Sequence, residues 1–220
     1  MGIWHIKNKT TIYLNMLNDC KIARDEFTTH LKNIPFTENT GGMNTYSMYF
    51  VYLVVKHISP ATIIESGVWK GGTTWLFEEI SPSSNMICID PHICNYGSEK
   101  EWYIYKSPRA RYIHEDIFDI DLDNIKNKEN VLVFFDDHQD HIPRINHCKS
   151  LGFKHIILDD NYRCNTGSHQ TLHWAQLNPD DYNMEFKIKN EINLNEYIPE
   201  ASLFNSNKPT NSNVTYIELV

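Results

Sequence analysis

The feature that most restricts what this chain can fold into is a series of short, unbroken apolar runs, each stopping at a polar or acidic group. Thr62-Ile63-Ile64 runs into Glu65, and Asn85 to Ile89 runs into Asp90-Pro91. Arg111 to His114 precedes Glu115-Asp116, Val131 to Phe135 precedes Asp136-Asp137, and Lys154 to Leu158 precedes Asp159-Asp160-Asn161. Runs that are continuous, not alternating, belong to strands covered on both faces. Gly72 to Ile80, Pro143 to Leu151 and Leu172 to Leu177 lie between or after them and read as helices. The pattern predicts an α/β fold with a parallel sheet, helices on both faces and a terminal strand over Val214 to Val220. Upstream, apolar residues spaced three and four apart predict a helix over Ile12 to Leu31, and a second covers Tyr46 to Ile58. Residues 1–60 are therefore read as N-terminal helices of the same domain and 61–220 as the sheet core. The Asn- and Ser-rich stretch from Asn205 to Asn213 reads as a loop.

Composition narrows the function. The chain has 220 residues, with 20 Lys plus Arg against 28 Asp plus Glu, a net charge of −8. That balance argues against a nucleic-acid groove and against a polybasic membrane patch. The apolar run from Phe50 to Val55 is far too short to span a bilayer. No signal-peptide pattern follows Lys7 and Lys9, so a cytoplasmic protein is expected. The five cysteines, Cys20, Cys88, Cys94, Cys148 and Cys164, are odd in number and widely spaced. They read as buried thiols in place of a disulfide scaffold or a zinc ribbon.

The chemistry gathers where the strands end, the edge at which open parallel sheets bind ligands. Glu65-Ser66-Gly67-Val68-Trp69-Lys70-Gly71-Gly72-Thr73 is a glycine turn between strand and helix. It lacks the dinucleotide G-x-G-x-x-G spacing and the Walker Lys-Ser/Thr ending. Glu65 would repel a pyrophosphate and suits a cationic ligand or one with ribose or amino groups. Asp90, one strand over, can accept hydrogen bonds from both ribose hydroxyls. Asp136-Asp137-His138 and Asp159-Asp160-Asn161 follow neighbouring strand runs. Adjacent strands lie about 4.8 Å apart, so these acids converge. They repel one another unless a cation joins them, and an oxygen-only set suits Mg²⁺, or else Ca²⁺ or Mn²⁺.

The segments IIESGVWKGGTT and MICIDPH resemble the first two motifs of class I S-adenosylmethionine-dependent methyltransferases. The form E-x-G-x-x-x-G-G-[ST] is similar to the branch holding cephalosporin-hydroxylase-like, macrolide-sugar and rhamnosyl O-methyltransferases. The resemblance runs from Tyr46 to Tyr162 by motif order. It implies a Rossmann-like core, a doubly wound, mostly parallel sheet with an antiparallel C-terminal strand, whose N-terminal helices form a lid over the cofactor. It implies that Glu65, Gly67 and Gly71 border the methionine and ribose of S-adenosylmethionine, that Asp90 holds the ribose, and that Asp116 is the adenine-side acid. The metal-dependent members imply Asp136, Asp159 and Asp160 as ligands of a divalent cation, Mg²⁺. The catechol-type arrangement would instead select Asp137, Asp160 and Asn161.

Methyl transfer is an in-line displacement at a sulfonium, so the protein has to align the reactants and help deprotonate a hydroxyl. His138 is the first candidate base, with Asp136 or Asp137 as alternatives and His141 in reserve. His92 would line the cofactor edge, and Arg163 and His169 would reach an acceptor. Tyr46, Tyr49, Phe50 and Tyr52 read as helix packing, and Trp69 and Trp75 as packing against the sheet. The implied function is a metal-assisted O-methyltransferase acting on a hydroxyl of a sugar or glycan. A catechol-type enzyme and a non-catalytic nucleotide- or ligand-binding module are the alternatives. The expected partner is a small-molecule or glycan acceptor, with no nucleic acid or membrane. A homo-oligomer, or a place within a larger glycan-modifying polypeptide, stays open.

Overall fold

The strand runs pair with one another as their apolar character requires. β1 (Thr62–Ser66), β2 (Asn85–Ile89), β3 (Ala110–Ile113), β4 (Val131–Phe135), β5 (His155–Leu158), β6 (Ile188–Asn193) and β7 (Thr215–Leu219) form one seven-stranded sheet in the order β3-β2-β1-β4-β5-β7-β6. β1 to β5 are mutually parallel, and β7 runs antiparallel between β5 and β6. The computed structural model describes residues 20–37, 41–91, 104–162, 167–194 and 213–220.

Alternate residues of each strand feed two separate cores. Ile63, Met86, Leu132, Phe134 and Ile157 face α1 (Cys20–Leu31), α2 (Thr45–Ile58) and α3 (Gly72–Ile80). Ile64, Ile89, Val133, Phe135 and Ile156 face α4 (His141–Leu151) and α5 (Leu172–Leu177). A sheet greased on both sides needs helices on both sides, and this one has them.

Local signals set the helix ends. Asn44 Oδ1 accepts hydrogen bonds from the N–H groups of Tyr46 and Ser47, 3.0 Å each, and starts α2. Ser59 stops it in a left-handed conformation just before Pro60. Gly152, at φ 84°, ends α4.

α2 is a layer of the core: its residues Tyr46 to Val55 are all buried. Phe27 packs on Tyr49 with ring centroids 5.3 Å apart, which makes the aromatics packing groups as expected. The approach to α2, from Gly41 to Ser47, borders a small chamber. Trp75 is buried and meets Phe36 edge-on, but Trp69 is 39% exposed and stands at the rim of a cavity instead of against the sheet.

β6 has no counterpart in the sequence reading. It is the edge strand, with Ile188, Asn190 and Ile192 inward and charged or polar residues between them, so it carries no continuous apolar run. Cys88 and Cys148 are buried free thiols. The residues from Ile12 to Asp19 of the predicted first helix, most of the Asn205–Asn213 loop, and His92, Cys94, Arg163 and Cys164 lie outside the described residues. Among the described residues no helix is long and apolar enough to cross a membrane.

Candidate active site

The chain leaves β1 to one side for β2 and β3, then returns to lay β4 on the other side of β1. The strand order reverses there, so the carboxyl ends of β1 and β4 diverge into helices on opposite faces and leave a crevice. A cavity of about 540 Å³ occupies that crevice. Gly67, Trp69, Asp90, Asp116, Asp136 and Arg144 are among its walls.

The glycine turn sits under close backbone contact. A Cβ on Gly67, at φ 92°, would lie 2.4 Å from the Asp136 carbonyl oxygen. A Cβ on Gly71, at φ 88°, would lie 2.0 Å from the Tyr105 carbonyl oxygen. Both positions therefore demand glycine for space and for conformation. Asp90 holds the turn from the next strand: its Oδ2 accepts the N–H groups of Val68, at 3.1 Å, and Trp69, at 3.3 Å. Asp90 and Gly67 line the cavity, whereas Gly71 caps α3 and is not on its wall.

Glu65 is also off the wall. It is buried, and its Oε2 accepts hydrogen bonds from the Thr74 hydroxyl, at 2.6 Å, and the Cys88 thiol, at 3.3 Å. Its Oε1 is buried without a partner. Burial pushes this carboxyl from 4.5 up to about 8. An acid whose folded pKa is raised stabilises the fold fully below its unfolded value and loses that contribution as pH rises toward the folded one. Glu65→Gln keeps the shape and removes the charge. The variant is expected to melt above wild type at pH 9, by up to roughly 5 kcal/mol in stability, and alongside it near pH 5. Thermal melts across that range check this, and a gap that does not widen with pH would refute it.

The acidic ends of β4 and β5 converge. Phe135 pairs with Leu158, so Asp136 and Asp159 come next on adjacent strands. The Asp159 N–H donates to the Phe135 carbonyl at 2.9 Å, extending the ladder by one residue. Ligand atoms of Asp136, His138 and Asp160 all lie within 4.8 Å of one another. The Asp159 carboxyl falls outside that group but borders the same small chamber of about 160 Å³, together with Gly41, Gly42, Asn44 and Ser47. Burial, then the charges of Asp159 and Asp160, push Asp136 well above the usual carboxylate range. Burial and Asp160 push Asp159 upward as well. For Asp160 burial is outweighed by His138 and Tyr162, and its carboxyl stays below the usual value.

His138 Nε2 lies 3.3 Å from Asp160 Oδ2, and this carboxylate raises the imidazole pKa. His138 and Asp160 both adopt left-handed backbone, at φ 55° and 54°. Such conformations are costly away from glycine and gather at functional sites. Asp137 turns the other way, taking the Ser66 hydroxyl at 2.7 Å on its Oδ2. Asn161 is buried and bonded to Thr215 at 2.9 Å. In the alternative trio of Asp137, Asp160 and Asn161, Asp137 and Asn161 are thus each bonded to another side chain.

His141 is buried, its Nδ1 accepting the Leu172 N–H at 3.1 Å and its Nε2 lying 3.2 Å from His169 Nε2. Burial, then the neighbouring His169, lower its pKa to about 3. Neither histidine is among the residues on the walls of the two cavities.

Arg144 is the residue that motif reading missed. Its Nη1 and Nη2 donate to Asp116 Oδ1 and Oδ2 at 2.5 and 2.7 Å, a two-pronged pair. Its Nε lies 3.1 Å from Asp137 Oδ2 without hydrogen-bond alignment. Asp116 also receives the Phe118 N–H at 3.0 Å. The one local signal for Arg144 is a cation on the first turn of a helix, where the helix dipole disfavours it.

The fold is similar to that of the S-adenosylhomocysteine-bound methyltransferase PaMTH1 of Podospora anserina. That structure is 14% identical, and the match covers 90% of this chain and 88% of the other at a TM-score of 0.52. The chain has a class I methyltransferase fold. The O-methyltransferase TomG of Streptomyces achromogenes, solved with S-adenosylmethionine, is 11% identical over 90% of this chain and 89% of its own, at a TM-score of 0.49. Neither a family model nor a curated protein sequence matches the chain. In class I methyltransferase terms, the 540 Å³ crevice lies at the switch point between β1 and β4, and the acid group lies beside it.

Proposed function

We propose that this protein is an S-adenosylmethionine-dependent O-methyltransferase, assisted by a divalent cation, acting on a hydroxyl of a sugar or glycan. The observation that carries the reading is the charge of the crevice. Asp90, Asp116, Asp136 and Asp137 line it, and its arginine, Arg144, already faces two of them. Such a wall repels the phosphates of a dinucleotide and attracts a ligand bearing a sulfonium and an ammonium. In this reading Gly67 permits close approach of the methionine end, and Asp90 accepts from the ribose hydroxyls.

The donor set fits a cation. Asp136 and Asp160 would hold it, with Asp159 on the wall of the same chamber. The upward shift of Asp136 among like charges is the strain that such an ion relieves. When bound, a divalent cation supplies Lewis acidity that lowers the pKa of a nearby hydroxyl and orients it. His138, on the border of crevice and chamber, takes the hydroxyl proton on Nδ1 while Asp160 steadies Nε2. Around the acids, the chamber is walled by Gly41, Gly42, Met43, Asn44 and Ser47, with no Phe, Tyr or Trp among the described residues that line it. Mostly small and polar walls suit a hydroxyl-rich sugar better than a flat phenol.

Calorimetry with S-adenosylhomocysteine and with NAD⁺, each with and without Mg²⁺, tests the reading. Binding of the first and not the second is expected. If S-adenosylhomocysteine fails to bind, the enzyme reading falls. If turnover on methyl-acceptor sugars, followed by mass spectrometry, survives EDTA unchanged, the metal part falls.

A further inference from the structure

We infer that His169 is a positioning residue for His138: His141 fixes the tautomer of His169, and the His169 ring in turn holds the imidazole that faces Asp160. The inference rests on the proton-accepting role proposed for His138. It adds a residue that acts from behind the site, since His169 is not among the residues on the walls of the crevice or the chamber. The three histidines form a row. The His141 and His169 ring centroids are 4.8 Å apart, and those of His169 and His138 are 6.2 Å apart. The first two are buried, at 3% and 7% exposure, while 59% of the His138 side chain is exposed.

The bonds dictate where the protons sit. The Leu172 N–H donates to His141 Nδ1 at 3.1 Å. A ring nitrogen that accepts carries no proton, so His141 is neutral and protonated on Nε2. That proton points along the 3.2 Å contact to His169 Nε2, which must then be the bare nitrogen. His169 is left with its proton on Nδ1. This atom is buried and has no hydrogen-bond partner among the described residues. A buried donor left unsatisfied is costly and calls for a reason. Packing against His138 supplies one: the two rings stand at 80°, in the edge-to-face arrangement that aromatic rings favour.

The backing is itself braced on both sides. Toward β4, the His141 N–H donates to the Gln170 carbonyl at 2.9 Å, and the Gln170 N–H donates to Asp140 Oδ1 at 2.7 Å. Toward β5, the Thr171 hydroxyl donates to the Tyr162 carbonyl at 2.8 Å, and the His173 N–H donates to Asn161 Oδ1 at 2.9 Å. The segment that carries His169 therefore ties together the two loops that bring His138 and Asp160 to the site. An imidazole as exposed as His138, held through Nε2 alone, can rock about that single contact. A fixed ring against its side removes that freedom and keeps Nδ1 on the acceptor side.

NMR on the full chain with labelled histidine rings tests this. Long-range nitrogen–proton spectra are expected to show His141 protonated on Nε2 and His169 on Nδ1. The order parameter of the His138 ring is expected at about 0.8 or above in wild type and below about 0.6 in His169→Gln. That variant still accepts from His141 but has no ring. His169→Phe restores the ring without the acceptor, and should restore the order. With methyl rhamnoside, S-adenosylmethionine and Mg²⁺, His169→Gln is expected to lower kcat at least about tenfold. KM and S-adenosylhomocysteine affinity should stay within about twofold of wild type, and His169→Phe should bring kcat back to within about threefold. Thermal melts accompany each variant. Should His169→Phe fail to fold, His169→Gln and the tautomers decide. A His169 proton on Nε2, or a His138 ring as ordered in His169→Gln as in wild type, overturns the inference and leaves the methyltransferase reading standing. Losses of kcat that follow melting temperature in both variants overturn it too, since a merely structural residue would behave so. If wild type turns over no methyl rhamnoside, the ring measurements decide alone. If it fails to bind S-adenosylhomocysteine, the methyltransferase reading falls, and the role of His169 with it.

Discussion

Asp160→Ala is expected to abolish methyl transfer while leaving S-adenosylhomocysteine affinity within about twofold of wild type. Asp160 borders the small acid chamber and is not on the wall of the larger crevice. Its loss removes an oxygen from the Asp136, His138 and Asp160 group and the ion-pair partner of His138 together. The first is needed to hold a cation, and the second to keep the imidazole in place and to stabilise it once protonated. Losing the base contribution alone is worth roughly 10²- to 10⁴-fold, so the combined loss should put turnover below detection. The backbone at this position is left-handed, at φ 54°, and alanine resists that conformation more than asparagine does. Asp160→Asn is therefore the control that removes charge without the backbone penalty, and it should be nearly as inactive. Turnover by mass spectrometry and affinity by calorimetry read the two effects separately. Equal loss of both would mean that Asp160 serves the cofactor directly.

Gly67→Ala is expected to lower the melting temperature by roughly 5–15 °C. Its Cβ would meet the Asp136 carbonyl oxygen at 2.4 Å and the Asp137 nitrogen at 2.7 Å. Those are backbone atoms anchored by β4, whose Asp136 N–H donates to the Ser66 carbonyl at 2.8 Å, so they cannot swing aside as a side chain would. The cost of φ 92° adds to the clash. Gly152→Ala separates the two contributions. Gly152 has φ 84°, but its nearest neighbour is a flexible Lys128 carbon at 3.8 Å. It should lose only about 1 kcal/mol, the backbone part alone. If the two variants melt together, the close approach of the glycine turn to β4 costs nothing and the packing argument is wrong. Gly67→Ala should also weaken S-adenosylhomocysteine binding, because any relief of the clash pries open the wall shared with Asp136.

Several features of this protein were legible in the sequence because they are local. β2 and β4 occupy Asn85–Ile89 and Val131–Phe135, the runs picked out by unbroken apolar character. Gly72–Ile80 and Leu172–Leu177 are helices over the residues read as helical between and after the strand runs. A strand buried on both faces, or a helix with one apolar side, writes its environment into adjacent residues. β6 was invisible for the converse reason: as an edge strand it buries only alternate residues, and IKNEIN looks like a loop.

The acids at the ends of β4 and β5 could be named in advance, but their partners could not. Ser66 bonds Asp137, Thr215 bonds Asn161, and His138 meets Asp160 across 22 positions of chain. Glu65 stands beside the glycine turn in sequence, yet the strand's alternation turns its carboxyl toward Thr74 and Cys88. Arg144 looked like one more charge on a helix until α4 packed beneath Asp116. By itself the sequence determined which segments are strands, where glycine is obligatory and where negative charge would accumulate, since each depends on a few consecutive residues. Only the tertiary structure decided which charges neutralise one another and which are left facing the crevice. Those pairings fall off within a few ångströms, and it is the stacking of distant strands and helices that sets such distances.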